Sequence, residues 1–124
     1  MANENKLPII PQEISRGASE TFLFSMTDPD GNLYYLQEGE VLRFGVKRDR
    51  HMSVFLLKKV LTPADLKDGV YAMTLKPAET AKLPAGNYEW DIGIQYGDDF
   101  RPIVAASPFT VNGTVTGWEA LADG

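Results

Sequence analysis

From Tyr88 to Tyr96 the large apolar side chains (Tyr88, Trp90, Ile92, Ile94, Tyr96) stand at even positions, and Glu89, Asp91, Gly93 and Gln95 stand between them. A period of two over this length predicts a half-buried antiparallel strand. The alternation recurs in Thr21–Thr27, where Phe22, Phe24 and Met26 share a face, and in Val41–Lys47, where Leu42, Phe44 and Val46 point one way. It recurs again in Val70–Leu75, with Tyr71, Met73 and Leu75 together. Val54–Leu61 and Ile103–Val111 are also strand-like, the second interrupted by Pro108, which confines that part to an edge or a bulge.

Turn chemistry separates these runs. Asp28-Pro-Asp-Gly-Asn32 predicts a hairpin onto Leu33–Leu36, Gln37–Glu40 a second turn, and Gly97-Asp-Asp99 a third. Asn112-Gly113 is a two-residue hairpin signal. Two helical turns are expected, one with Thr62 as N-cap and Pro63 at its first position, the other opened by Pro77 and Glu79, stopped by Pro84 and turned by Gly86. Tyr88 then follows a Gly-bearing corner and leads into a strand with an inward Trp90, an arrangement of immunoglobulin-like sandwiches in which the phenol bonds back to the corner. The sum is an all-β, immunoglobulin-like antiparallel β-sandwich of about seven to nine strands with one or two single-turn helices. It occupies residues 14–112, between an N-terminal arm (1–13) and a C-terminal tail (113–124).

At 124 residues one domain buries enough surface to fold without staples. The absence of Cys removes disulfides, Cys-based zinc sites and thiol nucleophiles together. With no cationic leader followed by an apolar run, and no stretch of membrane-spanning length, the expectation is synthesis in the cytoplasm without a signal peptide. A net charge of −5 argues against nucleic-acid and anionic-membrane partners.

Chemistry is sparse. GxSxG, GxxxxGK[ST] and GxGxxG are absent. The Asp28 loop has its Gly fourth rather than sixth, so it reads as a turn and not as a calcium loop. His51 has no second His or Cys to complete a metal set, and the basic knot Lys47–His51 reads as a solvated loop. Glu89 and Asp91, two apart on an outward strand face, are expected to pair with Lys or Arg across the sheet. No catalytic residue, metal or cofactor is expected. What stands out is apolar material in polar surroundings. Leu7, Ile9 and Ile10 form either a first edge strand or a segment buried on a neighbouring subunit, and Trp118 and Leu121 dock either on the domain itself or on a partner. Tyr34, Tyr35 and Phe100 are the candidate ligand contacts of an alternative, carbohydrate- or ligand-binding reading.

These residues carry a resemblance. IxRG at Ile14, Arg16 and Gly17, FxF at Phe22 and Phe24, the Asp30-Gly31 turn, and FxVK at Phe44, Val46 and Lys47 resemble the immunoglobulin-like N-terminal domain of phage and prophage baseplate upper proteins. The pattern continues in LxPxET (Leu75, Pro77, Glu79, Thr80), LxxGxYxxDI (Leu83, Gly86, Tyr88, Asp91, Ile92) and FxV (Phe109, Val111), covering residues 14–112. The resemblance implies a non-enzymatic virion structural protein that docks on other phage tail proteins or on itself. Family members typically continue after the sandwich into a long extension, whereas this sequence runs a dozen residues past it, so docking is the expectation drawn from the resemblance rather than the carrying of a receptor-binding arm.

Overall fold

The alternating run around Trp90 becomes β9, Gly86–Tyr96, the middle strand of a five-stranded sheet in the computed structural model, which describes residues 7–114. On one side β9 pairs antiparallel with β5 (Glu40–Lys47), and on the other with β10 (Asp99–Asn112). Outside β5 lies β6 (Leu57–Leu61), and outside β10 lies β1 (Gln12–Ser15). A second sheet, β2–β8–β7 (Glu20–Phe24, Val70–Leu75, Leu66–Lys67), faces it, with the short hairpin β3–β4 (Met26–Thr27, Leu33–Tyr34) beside it. The protein is an all-β sandwich. The helical turns fall at Pro63–Asp65, capped by Thr62, and at α1, Pro77–Thr80. Among the described residues no helix is long and apolar enough to cross a membrane.

The period-two faces explain the core. Leu42, Phe44 and Val46 of β5, Tyr88, Trp90, Ile92 and Ile94 of β9, and Tyr71, Met73 and Leu75 of β8 are all buried. Aromatic rings join the two layers: Phe22 lies 6.3 Å from Phe44, Phe24 lies 6.3 Å from Trp90, and Phe44 lies 5.5 Å from Trp90. At the corner the Tyr88 hydroxyl donates to the Pro84 carbonyl at 2.5 Å, the bond expected of a Tyr after such a turn.

Four expectations are corrected. The sandwich is not wholly antiparallel, because β1 runs parallel to β10, from Gln12 opposite Phe109 to Ser15 opposite Asn112. First and last strands lie side by side here, and Gly17, in the left-handed region at φ 82°, then turns the chain towards the other sheet. That pairing also removes the expected Asn112-Gly113 hairpin. Asn112 is held against β1, its side chain donating to Glu13, and Gly113 does not adopt the positive φ that a type I′ turn requires. The Val54–Leu61 strand is only Leu57–Leu61. An unbroken apolar run has no alternation to say which residues face inward, and Met52–Leu56 lies in the exposed β5–β6 loop. The closing strand starts earlier than Ile103, at Asp99, with register shifts between Pro102 and Val104 and between Val104 and Ser107. Pro108 follows the second shift and precedes the start of β1 pairing at Phe109, so edge and irregularity accommodate it as expected.

Two of the sequence motifs meet in space. The Arg16 guanidinium donates to the Ala81 carbonyl at 3.1 Å, and the Gly17 N–H donates to the Thr80 hydroxyl at 2.9 Å. The Thr80 hydroxyl in turn donates to the Ala18 carbonyl at 2.9 Å. IxRG and LxPxET therefore form one clasp around the fully buried Thr80, locking the β1–β2 turn to α1.

Candidate functional site

The residues singled out in the sequence do not converge on one place. In the arm, Leu7 is half-buried while Ile9 and Ile10 are 62% and 39% exposed. The backbone here is tied down without forming a regular strand. The Pro8 carbonyl accepts from Ala105 N–H, Ile10 N–H donates to the Ser107 hydroxyl, and the Ile10 carbonyl accepts from Trp90 Nε1, each at 2.9 Å. The arm thus seals the edge of β10 and leaves two isoleucine side chains facing outward. Trp118 and Leu121 lie outside the described residues.

Tyr34, Tyr35 and Phe100 do not form one site. Tyr34 packs against the core and donates its hydroxyl to Glu40 at 2.6 Å, whereas Phe100 lies on the opposite, outer face of the large sheet, and Tyr35, the residue after β4, is exposed. Glu40 is itself buried and also accepts from Gln37 N–H at 2.8 Å. The Tyr34 hydrogen bond, and after it the Gln37 amide, hold the Glu40 carboxyl below the usual range against the opposing effect of burial. A depressed folded-state pKa stabilises above the unfolded value and is lost as pH falls through the folded one. Thermal melts from about pH 6 down to about pH 3 should therefore show wild type losing more stability than Glu40→Gln. Tyr34→Phe, which removes one charge-assisted hydrogen bond and leaves the carboxylate to the Gln37 N–H and to Arg101 at 3.5 Å, is expected to cost about 1.5 kcal/mol at neutral pH.

The basic knot is a solvated loop, as expected, with Arg48, Asp49, Arg50 and His51 all exposed, and its cations make surface contacts. Arg50 pairs with Glu89 at 2.5 Å, Arg48 lies over the Tyr88 ring at 5.0 Å, and Lys47 lies over the Phe55 ring at 4.6 Å. Glu89 thus finds its cation, from the loop after β5 rather than from a neighbouring strand; that hydrogen bond chiefly holds its carboxyl below the usual range. His51 is exposed, with its N–H donating to Asp49 at 2.8 Å. Among the described residues no three His, Asp or Glu side chains are grouped to hold a metal ion.

Two surface features remain. The first is the β5–β6 loop, where Met52, Val54, Phe55 and Leu56 are 49%, 60%, 39% and 40% exposed. The second is a groove of about 390 Å³ on the outer face of the large sheet. Its floor is Asp91, opposite Gly45 in the β5–β9 ladder and two residues before Gly93. Both glycines lie under aromatic rings: a Cβ at 45 would stand 2.4 Å from Phe55, and one at 93 would stand 2.6 Å from Phe100. Arg43, Lys47, Arg50 and Lys58 line it as well. Phe55, Gly45 and Gly93 are not among the candidates of the sequence reading, although a lone Gly inside each of two core strands signals close approach of another group.

The fold defines a β-sandwich protein with an apolar loop and an aromatic-walled groove on its surface. The chain matches no protein-family model and no curated protein.

Proposed function

We propose that this protein is a non-enzymatic structural part of a phage or prophage tail, acting through contacts with other tail proteins or with copies of itself. The observation that carries the reading is the β5–β6 loop. Four large apolar side chains within five residues, Met52 to Leu56, are left exposed by a domain whose core is otherwise well filled. A contiguous apolar stretch of this kind marks a protein–protein contact more readily than scattered exposed residues do. The outward Ile9 and Ile10 add a second apolar element on another edge. The resemblance of residues 14–112 to baseplate upper proteins supplies the tail setting, and the Arg16–Thr80 clasp gives two of its motifs a common structural task.

The test is co-expression of the full chain with the products of the genes flanking its own, followed by affinity purification and sedimentation velocity. A tail protein, or a second copy of this chain, is expected to associate with wild type. Val54→Asp combined with Leu56→Asp, both at exposed positions, is expected to leave the melting temperature within a few degrees and to abolish the association. Undiminished association of the double variant, or flanking genes unrelated to virion assembly, would overturn the reading.

A further inference from the structure

The groove on the outer sheet face asks for a ligand of a particular kind. Asp91 is half-buried in its floor, and among the described residues its carboxylate accepts no hydrogen bond and makes no ion pair. Its neighbours are otherwise engaged: Arg43 donates to Gln95 at 2.6 Å, Arg50 is paired with Glu89, and the Lys47 and Lys58 ammonium groups lie 4.6 and 5.8 Å from the Phe55 ring centre. The residue paired with Asp91 on β5 is Gly45, the outward position two residues on along β9 is Gly93, and the rings of Phe55 and Phe100 stand over these two glycines and wall the groove.

Charge narrows the choice. A cationic ligand would meet two ammonium groups already placed about Phe55, and an anionic one would meet the floor carboxylate. A neutral ring bearing several hydroxyls meets neither objection. Its hydroxyls donate to Asp91 and accept from Lys47 or Lys58, and its C–H face packs on a phenyl ring. The volume lies within the range of small-molecule sites.

We propose that this groove, with Asp91 as acceptor and Phe55 and Phe100 as apolar walls, binds a neutral saccharide unit. The site is separate in chemistry from the apolar loop contact, although Phe55 belongs to both. Burial pushes the Asp91 carboxyl up, against the downward pull of Lys47 and Arg43, so the residue is held there at some expense of stability. A half-buried carboxylate with cations nearby but no direct hydrogen-bond partner is a feature that binding sites retain.

The experiment is a ¹H–¹⁵N correlation spectrum of the full chain titrated separately with glucose, galactose, mannose and N-acetylglucosamine and with their disaccharides, using phosphate and tetramethylammonium as controls. Saturable shifts at the amides of Gly45, Asp91, Gly93 and Phe100 are expected with at least one saccharide. Asp91→Asn and Phe100→Ala should each weaken that binding about tenfold or more, the loss expected for one charge-assisted hydrogen bond or one stacked ring. The dispersion of the same spectra shows that each variant is folded, and Asp91→Asn is expected to melt no lower than wild type. Absence of saturable shifts at these amides with every saccharide overturns the proposal. So do shifts with phosphate or tetramethylammonium alone, or saccharide binding that both variants leave unchanged.

Discussion

Phe44→Ala is expected to destabilise the protein by about 3–5 kcal/mol, a large part of the 5–15 kcal/mol that holds a typical domain folded. Phe44 is 3% exposed, and its ring lies 5.5 Å from Trp90 and 6.3 Å from both Phe22 and Phe109. Those three residues come from β9, β2 and β10, so one truncation removes contacts to both layers of the sandwich. None of the neighbours can fill the hole cheaply, since Phe109 is fully buried and Trp90 is fixed by the bond from its Nε1 to the Ile10 carbonyl. Urea denaturation followed by circular dichroism gives the value, with the unfolding slope unchanged if the native fold persists. A loss below about 1 kcal/mol would mean that the ring cluster is not the centre of the core.

The second large effect is Gly93→Ala, set against Gly45→Ala. The two substitutions look alike in sequence, each adding one methyl to the outer face of a central strand. At 93 the new Cβ would stand 2.6 Å from the Arg101 carbonyl oxygen as well as 2.6 Å from the Phe100 ring, so backbone has to move. It moves where β9 pairs with β10, beside the register shift that follows Pro102. The expected cost is about 3 kcal/mol, the upper end of overpacking, with loss of amide protection along β10. At 45 the clash is with Phe55 side-chain atoms alone, at 2.4 and 2.8 Å. Phe55 belongs to an exposed loop and swings aside, so the cost should stay below about 1 kcal/mol while the groove loses a wall. Equal costs at the two positions would show that the Arg101 carbonyl is not the obstacle.

The fate of Glu89 and Asp91 shows why a site is harder to read from sequence than a strand. They are two residues apart on one face, and both were expected to pair with a cation across the sheet. Glu89 finds its cation in Arg50 of the β5–β6 loop, which folds back over that end of the sheet, and not on a neighbouring strand. Asp91 does not, because its cross-strand neighbour is Gly45 and the ring of Phe55 stands where a side chain would otherwise be. The candidate aromatics divide in the same way. Tyr34 is turned inward by its bond to Glu40, while Phe100, the second residue of β10, is placed outward opposite Gln95.

By itself the sequence determined whatever depends on near neighbours in the chain. Period-two alternation sets which face of β5, β8 and β9 is buried, because successive side chains of a strand must point to opposite sides. Thr62 with Pro63, Pro77 with Glu79, and the Gly86–Tyr88 corner specify local backbone shapes through capping bonds and restricted φ. Only the tertiary structure decided what depends on residues far apart. The parallel pairing of β1 with β10 joins positions nearly a hundred residues apart and displaces a hairpin that Asn112-Gly113 favours locally. The meeting of Arg16 and Gly17 with Ala81 and Thr80 arises in the same way, as does the gathering of Asp91, Phe55 and Phe100 around one groove. Local propensity amounts to a fraction of a kcal/mol per residue, whereas packing of the two sheets is a sum over the whole core, so where they disagree the packing prevails.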